Sequence, residues 1–72
     1  MTTASELVFL VEEAPEGGYT ACALGVDIFT EGETMEEIKR NVLDAVRCHF
    51  DSEQGRPKVV RLHLVKDEIL PV

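Results

Sequence analysis

The stretch that decides the fold is residues 34–50, with the sequence TMEEIKRNVLDAVRCHF. Thr34 stands three residues before Glu37, which is the spacing of a capping box at the start of a helix. Apolar side chains then recur at helical spacing and predict one apolar stripe along a helix over residues 35–52. The stripe consists of Met35, Ile38, Val42, Ala45, Val46 and Phe50. A helix of this kind needs a sheet face to cover its stripe.

Apolar runs separated by turn residues supply that sheet. They predict strands over residues 6–13, 19–24 and 26–30 before the helix and a last strand over 58–65 after it. The element order is therefore β-β-β-α-β. We expect an α+β fold of two layers, with one helix packed on a mainly antiparallel sheet.

Length and charge limit the possible functions. The chain has 72 residues, enough for a single domain over 1–72. Its 14 acidic and 7 basic residues give a net charge of −7. Proteins that bind nucleic acid need clustered Lys and Arg, so we expect no direct nucleic-acid binding. A basic protein partner suits this charge better.

Location follows from what the sequence does not contain. There is no apolar run of about 20 residues that could span a membrane. The first residues, MTTASE, do not form a signal peptide, and two cysteines do not make a secreted disulfide scaffold. We therefore expect a cytoplasmic protein with no membrane partner.

Carboxylates at the strand ends are the candidates for chemistry. A minimal metal-dependent hydrolase could use Glu12, Glu13 and Asp27, because such enzymes need converging acids. Acidic side chains are more often simply exposed on the surface. We expect surface acids, no catalytic residue and no enzyme.

Cysteine and histidine side chains are the candidates for metal binding. Cys48 and His49 are adjacent on the predicted helix, so they point about 100° apart and cannot readily face one ion. We expect no metal and no cofactor. Cys22 and Cys48 are predicted to pack in the interior, and His49 is predicted to lie within the apolar stripe.

The last strand and the segment after it predict contacts with other chains. Val60, Leu62 and Leu64 alternate with Arg61 and His63, so one face of the strand is predicted to be buried and the other wet. The apolar segment ILPV that follows has no partner within so short a chain. We expect a homodimer or a higher homo-oligomer.

Two motifs carry a family resemblance. Residues 15–21 (PEGGYTA) and residues 30–37 (TEGETMEE), followed by Asn41 and Ala45, resemble the HicB-like antitoxin family. The resemblance covers roughly residues 6–65. The residues that carry the motifs are Gly17, Gly18, Tyr19, Gly32, Thr34 and Glu37. In place of the family's Pro-x-x-Pro-Gly segment the chain has LGVD, and we expect no DNA-binding module like that of many members.

The resemblance implies a truncated RNase-H-like fold and a protein-binding function. Members of that family bind a small basic toxin that cleaves mRNA and do no chemistry themselves. For such a partner we expect contacts from Glu31 and Glu33, with Arg61 and His63 as further contact residues. The alternative is a stand-alone homo-oligomeric regulator or orphan domain with the same fold and no toxin partner.

Overall fold

The predicted order β-β-β-α-β is present, with one helix packed on a four-stranded mixed sheet. The computed structural model describes residues 6–51 and 55–72. The elements are β1 (Glu6–Glu13), β2 (Tyr19–Ala23), β3 (Phe29–Gly32), α1 (Met35–His49) and β4 (Val59–Val65). The predicted α+β class is therefore confirmed.

The sheet has the strand order β3-β2-β1-β4. β1 pairs antiparallel with β2 and parallel with β4, and β2 pairs antiparallel with β3. Phe9 lies between Ala23 on one side and Leu62 on the other. The apolar run of β1 agrees with this central position, because the neighbouring strands flank Val8 and Leu10 on its second face and leave them half-buried.

The core lies between α1 and one face of the sheet. The stripe predicted for the helix is confirmed, since Ile38, Val42 and Val46 are all buried. Phe9 is fully buried beneath them. The buried apolar set is Leu7, Phe9, Val11, Ala21, Ala23, Ile28, Ile38, Val42 and Val46.

The helix is shorter than predicted at its C-terminal end. It ends at His49 rather than at residue 52, and Ser52 itself lies outside the described residues. Phe50 is the cap, and its N–H donates to the carbonyl oxygen of Val46. The Arg56 side chain donates to the Phe50 carbonyl through Nε at 3.2 Å and Nη2 at 3.0 Å. These two bonds satisfy a carbonyl at the C-terminal end of the helix. Because Arg56 lies beyond the helix, local helix propensity does not predict them.

The third strand was predicted in the wrong place. It spans Phe29–Gly32 instead of residues 26–30. The chain is still turning before it, because the Ala23 N–H donates to the Ile28 carbonyl at 3.0 Å and Gly25 has a φ of +87°. Ile28 is buried, whereas Phe29 is 63% exposed. The apolar pair that suggested a strand therefore closes a turn; the remaining three strands agree with the prediction to within one residue.

The second sheet face, which we call the open face, has no described helix or strand over it. It carries the alternate residues Glu6, Val8, Leu10 and Glu12 of β1, Thr20 and Cys22 of β2, Phe29 and Glu31 of β3, and Val59, Arg61, His63 and Val65 of β4. On the opposite face, α1 lies nearest to β2 and β3. As a result the predicted burial along β4 is incomplete, with Val60 and Leu62 half-buried and Leu64 57% exposed.

Candidate protein-binding site

An acidic cavity opens where the β1–β2 turn, the end of β3 and the start of α1 meet. Its volume is about 390 Å³. The lining residues are Ala14, Glu16, Gly17, Tyr19, Glu31, Gly32, Glu33 and Glu37. Half of them are glutamates, and they come from three separate segments of the chain. We call this feature the acidic cavity.

Close backbone packing of two glycines builds one wall of the acidic cavity. Gly18 has a φ of +82°, and a Cβ placed on it would lie 2.9 Å from the carbonyl oxygen of Gly32. The turn is closed by the Ala14 N–H, which donates to the Gly18 carbonyl at 2.9 Å. A side chain at Gly18 would therefore separate the turn from β3. The close approach requires glycine at Gly18, whereas at Gly17 it is the φ of +108° that favours glycine.

Hydrogen bonds around the helix start hold the other wall. The Glu37 N–H donates to Thr34 Oγ1 at 3.1 Å, as the capping box predicts. The Glu37 carboxylate accepts from the N–H of Glu33 at 2.6 Å, one residue before the predicted cap amide. The Asn41 side-chain amide donates to the Glu31 carbonyl at 2.8 Å. These bonds tie both ends of the 31–37 segment to α1.

The charge of the acidic cavity is not neutralised by any ion pair among residues 6–51 and 55–72. The ion pairs found there join Arg47 to Asp44 at 3.9 Å and Arg61 to Glu6. Neither involves a glutamate of the cavity. Grouped carboxylates without cations raise the local negative potential and attract a positively charged partner.

Comparison with known proteins identifies the family. A UPF0150 protein of Thermotoga maritima is 43% identical to this chain over 72 residues, which is 100% of both chains. The chain belongs to the UPF0150 family. A UPF0150 protein of Archaeoglobus fulgidus is 55% identical over 53 residues, which is 74% of this chain and 77% of the relative. No protein-family model and no solved structure matches the chain.

The predicted contact residues of this UPF0150 chain fall into two separate places. Glu31 and Glu33 line the acidic cavity together. Arg61 and His63 lie on β4 at the opposite edge of the sheet, roughly 14 Å from β3 at ordinary strand spacing. Arg61 is also engaged locally, because it pairs with Glu6. The four residues are therefore too far apart to form one compact contact site.

Two further acids of the acidic cavity were missed from the sequence. Glu16 lies in the β1–β2 turn, and Glu37 was interpreted only as a capping residue. The turn and the capping box are both visible as local patterns. Their proximity depends on the pairing of Tyr19 with Gly32 between β2 and β3, which no local pattern encodes.

The cysteines and His49 of the UPF0150 chain are exposed, which corrects three predictions. Cys22 lies on the open face opposite Leu10, and Cys48 lies on the outer side of α1; both thiols are free. Cys48 follows the buried Val46 by two positions, about 200° around the helix. His49 packs edge-on against Phe50 with ring centroids 4.8 Å apart instead of entering the core.

The carboxylates proposed for a hydrolase do not converge. Glu12 and Glu13 line a cavity of about 150 Å³ at the end of β1, whereas Asp27 lines a separate cavity of about 320 Å³ beside Cys48 and His49. Within the described ranges, no group of three or more His, Cys, Asp or Glu side chains is placed to hold a metal ion.

The helix α1 is not long and apolar enough to cross a membrane, and the described residues contain no other helix that could.

Proposed function

We propose that this UPF0150 chain is an antitoxin-like module that caps and inhibits a small basic toxin that cleaves mRNA. The acidic cavity is the contact site in this proposal. The observation that carries it is the group of four glutamates around one open cavity, namely Glu16, Glu31, Glu33 and Glu37. No ion pair within residues 6–51 and 55–72 neutralises them.

The shape of the acidic cavity favours a protein over a small cation. Its acids stand on three segments and surround an open space, and no metal-ligating group forms among the described residues. The strand beside the cavity, β3, is an edge strand. Its outer backbone groups can therefore form hydrogen bonds with a partner chain. A net charge of −7 would speed encounter with a basic protein.

The resemblance to HicB-like antitoxins supports the same assignment. The two motifs that carry it, in residues 15–21 and 30–37, are the segments that supply most of the acidic cavity wall. The motif glycines Gly18 and Gly32 allow those segments to approach closely. The segments that resemble the toxin-binding family are therefore the segments that line the acidic cavity. The acids of the cavity supply the negative charge that would attract a basic toxin.

The first test is capture of the partner. A tagged chain is purified from extract of its source cells, and the mass and composition of the eluate are measured. We expect a small basic protein in stoichiometric amount, and we expect that protein to cleave RNA when alone and to stop cleaving when this chain is added. A partner that cleaves RNA equally well with and without the chain would contradict the proposal.

A matched pair of charge reversals locates the contact. Glu31→Lys with Glu33→Lys changes the charge of the acidic cavity, while Asp44→Lys with Asp51→Lys makes the same change at two exposed acids elsewhere. We expect the first pair to abolish capture and inhibition and the second pair to retain both. Equal loss from the two pairs would show that only net charge matters and would remove the acidic cavity from the proposal.

The alternative is a stand-alone homo-oligomeric regulator or orphan domain without a toxin. Exposed apolar side chains favour it, since Leu24, just after β2, is 53% exposed and Phe29, on the edge strand β3, is 63% exposed. A purified homo-oligomer that captures no basic protein from the source extract would favour this alternative.

A further inference from the structure

β4 forms one edge of the sheet, so one side of its backbone has no strand partner among the described residues. It spans Val59–Val65, and every residue except Arg61 and His63 is apolar. Val59 and Leu64 are each more than half exposed. Long apolar edge strands invite pairing with another strand unless something covers or blocks them.

Behind this edge the core is incompletely covered. A groove of about 290 Å³ lies between α1 and β4 and is lined by Lys39, Val42, Leu43, Val60 and Leu62. The buried Val42 forms part of its wall, whereas Leu43 is 42% exposed. The groove exists because α1 lies nearest to β2 and β3, which leaves β4 on the far side of the layer. A strand added to β4 would place its helix-facing side chains beside this groove.

Charge is distributed unevenly along this part of the chain. Residues 55–66 hold four of the seven basic residues and none of the fourteen acidic ones. Asp67 and Glu68 follow directly, and then an apolar segment in which Ile69 is 90% exposed and Leu70 is 74% exposed. A basic, apolar strand whose outer edge is unpaired among the described residues is therefore joined to an acidic segment followed by exposed apolar side chains.

We propose that two copies of this chain pair through β4, antiparallel about a two-fold axis. Antiparallel pairing about a two-fold axis perpendicular to the sheet keeps both helices on one side of the joined sheet. A pair centred on Leu62 would set Lys58 opposite Lys66 of the second copy, and like charges directly opposite are unfavourable. A pair centred on His63 sets Lys58 opposite Glu68 of the second copy, and the symmetry repeats this contact, so the His63 register is the one proposed.

The occupant is a second copy because the two complementary parts belong to the same chain. Self-repulsion between two chains of net charge −7 is weakest at their basic strands. A basic partner protein would be repelled from residues 55–66 and attracted to the acidic cavity. The two sites lie at opposite edges of the sheet, so the dimer leaves both acidic cavities free. The inference does not depend on the proposed toxin partner.

The test is the mass of the recombinant chain in solution, measured by sedimentation equilibrium over a range of concentrations. We expect a dimer of twice 8.0 kDa. Hydrogen exchange should show protected backbone amides on both sides of β4. A chain that stays monomeric up to about 1 mM would overturn the proposal.

Two matched substitutions locate the interface. Leu64→Lys places a charge on the β4 edge, and Phe29→Lys makes the same change at an equally exposed apolar residue on the β3 edge. We expect Leu64→Lys to raise the dimer dissociation constant roughly a hundredfold, since symmetry introduces the charge twice, and Phe29→Lys to leave it unchanged. A dimer broken by Phe29→Lys and not by Leu64→Lys would overturn the proposal.

A charge exchange provides a test that does not depend on the folding of Leu64→Lys. Glu68→Lys should weaken the dimer about tenfold by placing like charges beside Lys58 of the second copy. Adding Lys58→Glu to the same chain should restore most of the affinity. If the double variant is weaker than either single variant, the two residues do not face each other and the antiparallel β4 arrangement is wrong.

Discussion

The side-chain amide of Asn41, in the second turn of α1, donates a 2.8 Å hydrogen bond to the backbone carbonyl of Glu31 in β3. The two residues are ten positions apart, and the segment between them contains the helix cap and two glutamates of the acidic cavity. The bond therefore joins α1 directly to the edge strand. It couples the fold to the site, because the same carbonyl belongs to a residue that lines the acidic cavity.

Replacing Asn41 should lower stability through loss of this bond. Asn41→Ala is expected to reduce the free energy of unfolding by about 1 kcal/mol, measured by urea denaturation. Arg40→Ala at the exposed neighbouring position is the control and should change it by less than about 0.5 kcal/mol. Equal effects of the two substitutions would show that the Asn41 bond contributes nothing beyond helix propensity.

The helix cap at Thr34 should contribute about as much to the free energy of unfolding as the Asn41 hydrogen bond. Thr34→Ala removes the acceptor for the Glu37 N–H and is expected to cost about 1 kcal/mol in thermal or urea unfolding. Glu36→Ala lies in the same first turn but holds no cap hydrogen bond, so it should cost only a few tenths through the helix dipole. A Thr34→Ala variant as stable as Glu36→Ala would contradict the cap assigned here.

Alanine substitution at three glycines should lower the free energy of unfolding by three different amounts. Gly18→Ala is expected to destabilise by more than about 2 kcal/mol, because it combines a φ of +82° with a 2.9 Å approach to the Gly32 carbonyl. Gly17→Ala meets no neighbour within 4 Å and has only the strain of a φ of +108°, so it should cost about 1 kcal/mol.

Gly55→Ala is the control for this series. A Cβ there meets no neighbour within 4 Å, so the change should be near neutral. Unfolding free energies from urea denaturation give the order directly. If Gly18→Ala were as mild as Gly17→Ala, the close contact between the turn and β3 would be wrong.

Both thiols should react in the folded protein. Cys22 and Cys48 are exposed and free, so a thiol reagent in excess is expected to modify two groups per chain at similar rates with and without denaturant. Cys22→Ser and Cys48→Ser should each remove one reacting group without loss of stability. A thiol that reacts only after denaturation would contradict its exposure in the folded chain.

Local patterns predicted most of the secondary structure but less of the site. The capping box placed the start of α1 at Met35, and the apolar stripe identified the buried Ile38, Val42 and Val46, because both signals depend on residues within one or two turns of each other. The third strand was misplaced because an apolar pair fits equally well in a strand or in the closure of a turn. The Ala23 N–H donates to the Ile28 carbonyl and closes a turn, in which Ile28 is buried and Phe29 is exposed.

By itself, the sequence determined the element order, the central apolar strand and the helix face that enters the core. Each of these follows from periodicity, capping or turn chemistry within a short window. Tertiary structure decided the end of the helix, where Arg56 binds the Phe50 carbonyl, and the exposure of Cys22 and His49. It also decided that Glu16 meets Glu33 across one cavity. Contacts between residues distant in the chain depend on strand pairing and on which face of the sheet the helix covers. Both are decided by the free energy of packing between elements, which no local sequence pattern contains.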